Sequence, residues 1–363
     1  MHRNLRILYV LIALTATLGL VMQMQQPAGL LGNVDGTDFA VEDTSLVDRI
    51  FIADMDGNQV LLERPEKGRL WDVNGQFKAR EDAINLLLKT FKRTTVQGPV
   101  AQAAQPNVIR LLAARGKKVE VYQGGDQPVK TWYVGTATPS HTGTYMLLET
   151  PAGKADEPFV VHMEGFTGFL STRFFTNLEE WRYTGMFDFP ARTLQSVKFT
   201  HAETPSEGYT LTKGKDGQLE LATPQGESLT YLDTSGVRGH FLRFKKVHLE
   251  TYNSRLDEAM QDSLRTAAPD FVLEAEGAGG KRSSIRVHWK PRQGLDRDAE
   301  GGLMAYDGEQ LYGVTDAGEV VLLQRFVFDP LLRGASDLML PRLVPVSSFG
   351  LQTEANSDAS SLL

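Results

Sequence analysis

The chain contains no cysteine. Disulfides, thiol catalysis, cysteine-based zinc sites and a lipid-bearing cysteine are excluded together. Positive charge is in deficit: 38 Lys and Arg stand against 45 Asp and Glu, a formal net charge of −7, so no nucleic-acid surface is expected. Histidine is scarce. His141, His162, His201, His240, His248 and His288 form no HExxH, HxH or other metal-ligand pair, and no acid completes a site around His240 and His248. No GxSxG elbow occurs; the nearest stretch, GFLST, puts Ser171 on a helical pattern. Glu179 and Glu180 are adjacent, so on a helix they face different directions. No catalytic residue, metal or cofactor is nominated. A hydrolase whose carboxylates lie far apart in sequence stays open as a reading.

Two glycine-bearing stretches imitate ligand loops and lack the required partners. In GAGGKRSS (Gly277–Ser284) the first glycine of a phosphate loop would fall at Ala275, and Arg282 stands where Ser or Thr should hold magnesium. A hairpin turn is expected there. DMDGN (Asp54–Asn58) lacks the further acids of a calcium loop. The DG pair recurs at Asp216 and Asp307, and all three copies read as type I′ turns between strands.

The composition that remains is that of a globular chain, 41% hydrophobic and 23% charged over 363 residues, enough for two domains. The N-terminus is the strongest single signal. MHRNLR supplies Arg3 and Arg6, Ile7–Met22 carries no charge, and the next charged residue is Asp35. This is a basic segment before an apolar one. A small-x-small cleavage site is wanting, which favours an uncleaved signal anchor over a cleaved peptide, with the N-terminus inside and the bulk of the chain outside the cytoplasmic membrane. A buried N-terminal helix of a cytosolic protein is the alternative.

Beyond a linker, residues 35–185 read as one α+β half. Ile50 and Ile52 alternate with Arg49 and Phe51, a DG turn comes next, VLLER returns, and LWDV forms a third strand. AREDAINLLLKTFKR places Ala83, Leu86, Leu87 and Phe91 near helical period, with Glu81 and Asp82 early and Lys92 and Arg93 late, as the helix dipole favours. Trp71 is expected to pack against this helix at Leu87 and Phe91. A short helix ends at Gly116, and four strands form a meander containing Gly135 and Tyr145. Gly165–Tyr183 reads as an aromatic-rich helix. The order then restarts over 186–345: a strand with Val197 and Phe199, YTLTK, QLELA, a helix ending in LRFKKV, a second helix, a second meander, and DPLLRGASDLML as a closing helix. TFKRTTV and RFKKVHL fall in matching places, and Glu220 occupies the place of Trp71. Residues 346–363 lack periodicity and read as a flexible tail. The expected fold is therefore α+β, two similar strand-rich halves with antiparallel sheets and packed helices, behind an N-terminal membrane anchor.

Aromatic residues are the remaining candidates for a binding surface. Trp71, Trp132, Tyr133 and Tyr145 are joined by a dense run, Phe174, Phe175, Trp181, Tyr183, Phe187 and Phe189. Phe174, Phe175, Trp181, Tyr183 and Phe187 form the candidate strip for docking a partner or stacking a glycan. Core packing is the competing reading.

The combination FAVEDTSLVDRIFIAD, GRLWDVNGQFKAREDAINLLLKTF, KKVEVYQGG, WYVGTATPSHTGTYML and TNLEEWRY resembles the domain-of-unknown-function 4340 family. Asp43, Trp71, Gly135, Tyr145 and Trp181 match its motifs; the second half departs in detail. The resemblance implies a single-pass bacterial envelope protein, with Ile7–Met22 in the cytoplasmic membrane. The implied partners are subunits of a gliding-type ABC transporter, and no catalytic role is implied for the matched residues. An exported module that binds a glycan or lipid-linked glycan is the alternative function.

Overall fold

The computed structural model describes residues 36–66, 70–190, 192–252, 256–292, 294, 301–302 and 304–340. The expected anchor Ile7–Met22, its linker and the expected tail lie outside the described residues. Among the described residues no helix is long and apolar enough to cross a membrane. The chain divides into two compact units, one ending at Thr184 and the next starting at Gly185.

In the first unit the alternating stretch forms β1 (Arg49–Ala53) and β2 (Gln59–Glu63), with Ile50 and Ile52 facing inward and fully buried. LWDV yields only β3 (Asp72–Val73), because Asn74 and Gly75 take positive φ and turn the chain at once into β4 (Phe77–Lys78). The expected strand, turn and helix are therefore strand, turn, strand and helix. α1 spans Glu81–Arg93 and buries Ala83, Ile84, Leu87, Thr90 and Phe91; Ile84, not Leu86, occupies the inward stripe, and Leu86 is exposed. The unit continues through β5 (Thr94–Pro99), α2 (Gln105–Arg115), β6 (Lys117–Tyr122), β7 (Lys130–Ala137), β8 (Thr144–Thr150), β9 (Gly153–Lys154) and β10 (Phe159–Met163). The strands make a 10-stranded sheet in the order β4-β3-β2-β1-β6-β7-β8-β10-β5, with β9 paired to β8 and every pairing antiparallel.

Both faces of this sheet are covered. α1 contributes to the larger core, which holds Trp71, Leu87, Phe91, Trp132 and Trp181. α2 lies on the other face, where Val108 and Leu112 join Leu147 in a smaller cluster with Tyr145 packed against it. Gly135 permits that approach: a Cβ there would stand 2.9 Å from Leu112 Cδ2 and 2.9 Å from the Tyr145 carbonyl oxygen.

The second unit contains β11 (Gly185–Asp188), β12 (Leu194–His201), β13 (Tyr209–Lys213), β14 (Leu219–Ala222), α3 (Thr234–Arg243), β15 (Lys246–His248), β16 (Thr251–Tyr252) and α4 (Glu258–Thr266). β17 (Phe271–Gly277), β18 (Arg282–Pro291), β19 (Tyr306–Thr315), β20 (Val320–Gln324) and α5 (Arg325–Phe328) complete it. Its 8-stranded antiparallel sheet runs β14-β13-β12-β17-β18-β19-β20-β16, and β11 pairs with β15 separately. The sheet order reproduces that of the first unit from β3 to β5. A hairpin comes first, a third strand lies outside it, and the first strand also pairs with a later meander. A short strand after the first helix closes the far edge. Register shows one correction to the sequence comparison. Leu62 pairs with Ile50 and Val73, as Leu211 pairs with Val197 and Leu221, so Leu219, not Glu220, takes the place of Trp71.

The turns depart from the type I′ expectation. Among non-glycine described residues only Asn74, His141 and Tyr231 have positive φ, so Asp56 and Asp216 do not. Asp54 N–H reaches Asn58 O at 3.0 Å and Gly214 N–H reaches Gln218 O at 2.8 Å, around Gly57 and Gly217 at φ +86° and +84°. These are three-residue hairpin loops with glycine in the left-handed position. Asp307-Gly308 does not join two strands; it lies within β19, where Asp307 accepts from the Glu309 and Gln310 amides and binds Lys290. Gly277–Ser284 is the expected hairpin, with Gly279 and Gly280 at positive φ between β17 and β18.

Trp71 is 7% exposed, belongs to the core that contains Leu87 and Phe91, and has the Arg64 guanidinium 5.1 Å from its ring. Trp71→Ala should therefore lower unfolding stability by about 3–5 kcal/mol, read as a shift in urea midpoint at constant slope. A change below about 1 kcal/mol would contradict the packing described.

Candidate functional site

The aromatic strip named from the sequence does not form a surface. Phe174, Trp181 and Phe187 are fully buried, while Phe175 and Tyr183 are half-buried. Phe187 lies in the second unit and the others in the first. Gly165–Tyr183 is also not a helix; it contains only two 3-10 turns, Ser171–Arg173 and Leu178–Glu180. Gly165 and Gly168 take positive φ, and the Phe174 carbonyl accepts from Lys117 Nζ at 2.5 Å rather than from a helical amide. Each ring has a partner inside the fold. Phe174 stacks on Phe91 at 6.5 Å and meets Trp132 edge-on at 6.1 Å. Trp181 Nε1 donates to Phe175 O at 3.1 Å, and its own carbonyl accepts from Arg80 N–H at 2.7 Å. Phe174 and Trp181 fill the first unit's core and Phe187 the second unit's, the competing reading of the strip.

The loop that imitates a calcium site, Asp54–Asn58, has its first carboxylate occupied by protein donors. Asp54 Oδ1 accepts from the amides of Asp56 and Asn58, both at 3.0 Å, and Oδ2 accepts from Thr176 Oγ1 at 2.6 Å. These bonds hold its carboxyl below the ordinary range despite the opposing effect of burial. Among the described residues no group of three or more His, Asp or Glu gathers as a metal site.

Charged groups are nevertheless buried at specific points. Arg173 donates to Thr90 Oγ1 at 2.8 Å and to Met163 Sδ at 3.1 Å, beneath the Phe166 ring; burial lowers its pKa. In the second unit Tyr209 and His240 are buried and hydrogen-bonded through the hydroxyl and Nε2. Burial first, then the Arg333 and Arg243 cations, push His240 down to about 4, and burial pushes the Tyr209 phenol up. His240 therefore enters the fold neutral.

Among the described residues, two of the concavities open on the second unit. One, of about 510 Å³, lies over the polar sheet face, where Lys198 pairs with Glu274 at 2.9 Å and Arg282 with Glu276 at 3.3 Å. The other, of about 470 Å³, lies between the β13–β14 hairpin and α3. Arg192, Lys213 and Arg238 line it together with Leu219, Phe241 and Leu242. Sequence reasoning missed this second cavity because its parts come from three separate segments and none carries a motif. The one signal in the sequence was the exchange of a tryptophan for a leucine at matching strand positions. No protein-family model matches the chain, and no curated protein or solved structure matches it either.

The His240 environment fixes a pH response. The unfolded chain takes up the imidazole proton near 6.5, whereas the folded chain does so near 4. Between those values the unfolded state binds more protons, so stability falls as pH drops from 6.5 towards 4, by on the order of 3 kcal/mol. His288, lowered chiefly by burial, acts in the same direction. Urea midpoints should decline as the pH is taken from neutral towards the folded His240 value in the wild type, and decline less steeply in His240→Gln. Equal slopes in the two proteins would remove His240 as the cause.

Proposed function

We propose that the chain is a membrane-anchored extracytoplasmic scaffold of an envelope complex, with subunits of an ABC-type transporter as its partners. The observation that carries this reading is the N-terminal order: Arg3 and Arg6, the uncharged Ile7–Met22, then folded chain from residue 36 onward. A basic segment ahead of an apolar one directs the downstream chain across the membrane. Two units with one strand order support a scaffold, since each sheet supplies a surface of its own. The partner class rests on the motif residues Asp43, Trp71, Gly135, Tyr145 and Trp181, four of which have defined positions in or against the first unit's cores. Trp71 and Trp181 fill one face, and Gly135 admits α2 on the other.

The test is made on the full chain in its native membrane. The protein should pellet with membranes, resist extraction by carbonate, and be cut by protease added from outside the cytoplasmic membrane. Purification in mild detergent after cross-linking should recover integral membrane subunits of a transporter in fixed ratio. A soluble chain shielded from external protease would overturn the location, and recovery of the chain alone after cross-linking would overturn the scaffold.

A further inference from the structure

The two units differ at one corner, and the difference leaves charge and space without a partner. In the first unit, Leu62 pairs with Val73 and Glu63 with Asp72, which sets Arg64 beside Trp71 at the next step of the ladder. The guanidinium lies 5.1 Å from the indole, and the indole is buried. In the second unit Leu211 pairs with Leu221, and the corresponding step is the pair Lys213 and Leu219. The cation is kept and the indole is replaced by a smaller aliphatic group, partly buried against the core. At this corner lies the cavity of about 470 Å³.

The wall of that cavity is unbalanced in charge. Lys213, Arg192 and Arg238 line it, and none of the three makes an ion pair or side-chain hydrogen bond among the described residues. Asp216 is the one acid in that wall among the described residues, and Oδ1 of its carboxylate holds the Gln218 amide at 3.0 Å within its own turn. Asp233, before α3, is likewise engaged with the Gly236 amide at 3.1 Å. The floor is apolar: Leu219 and Phe241 belong to or pack on the core, and Leu242 stands 41% exposed at the rim. Arg238 and Leu242 are one helical turn apart, so a cation and an apolar side chain border the opening together.

We infer that this cavity binds an amphiphilic anion. Its apolar group, aromatic or branched, takes the position that the Trp71 side chain takes in the first unit, and its carboxylate or phosphate is held by Lys213, Arg192 and Arg238. Desolvating the apolar group supplies the binding energy, and the three cations select an anion over a neutral analogue. An aromatic ligand would also restore the cation–aromatic contact that Arg64 makes with Trp71. The inference concerns the second unit alone and stands whether or not the chain is anchored.

Indole-3-propionate serves as the probe, with 3-methylindole as its neutral counterpart. Titration of the full chain by calorimetry should give saturable binding of the acid at least tenfold tighter than of 3-methylindole, weakening as salt is raised. Lys213→Gln combined with Arg238→Gln should cut affinity for the acid at least tenfold without altering the thermal midpoint. Leu219→Trp should set an indole where the ligand's apolar group would lie and weaken binding. A parallel arm uses phosphatidylglycerol and phosphatidylcholine vesicles. Retention on the anionic vesicles that is lost in the same variants assigns the anion to a lipid headgroup. Binding of the soluble acid without vesicle retention assigns it to a free small molecule. Absence of saturable binding in both arms, or binding that survives the double Gln variant unchanged, overturns the proposal; the Gln substitutions decide it even if Leu219→Trp fails to fold.

Discussion

Each unit depends on one non-local ladder. β1 pairs locally with β2 through a tight turn, and on its other side with β6, which arrives only after α1, β5 and α2. Ile50 and Ile52 face Val121 and Val119 across this ladder, and all four are fully buried. The second unit repeats the device, with Val197 and Phe199 of β12 facing Ala275 and Leu273 of β17. Closing so long a loop costs chain entropy, and the buried row of side chains offsets it. Once closed, the ladder determines what the intervening chain does. The helix between the strands must lie over the apolar face, and the short strand after it is carried to the far edge, as β5 beside β10 and β16 beside β20.

Local pattern revealed the parts of this scheme that depend on local physics. The alternation in β1, the glycine turns, the charge gradient along α1 and the meander strands each arise from a few adjacent residues. The parts that depend on distant partners were not legible. β5 is a strand because of what lies beside it; it runs TTVQGP, with little alternation to mark it. Gly165–Tyr183 has the apolar spacing of a helix, yet its carbonyls are taken by Lys117 and its rings by Phe91 and Trp132, so the chain obeys those contacts instead. DPLLRGASDLML is divided in the same way. Glu207 accepts from the amide and hydroxyl of Ser336 at 3.0 and 2.9 Å, and two 3-10 turns, Asp329–Leu331 and Ser336–Leu338, replace a continuous helix.

Strand register explains why the site also escaped the sequence. A slip of one residue exchanges the two faces of a strand. Aligning the halves by sequence set Glu220, which points to solvent, against Trp71, which points to the core. The ladder places Leu219 there instead. Only with that assignment does the corner read as a lost aromatic plug with its cation retained. The alternation agrees with the ladder: it sets Glu220 with Asp72 and Leu221 with Val73, polar with polar and apolar with apolar.

The same comparison separates the roles of the two units. The first unit closes both faces of its sheet: α1 and the buried aromatics cover one, and α2 covers the other through the contact that Gly135 allows. In the second unit α3 contributes Val237 and Phe241 to the core, but α4 buries none of its residues. The face carrying Lys198, Glu274 and Arg282 is consequently polar and open. A sheet with one wet face needs its remaining core to be complete, and most of that core is, down to a neutral His240 paired with Tyr209. Leaving a gap at Leu219 runs against that requirement, since a larger side chain there would bury more apolar surface beneath a cation already in place. A gap kept where the sister unit fills it is a feature that stability alone does not explain, and ligand recognition at that corner does.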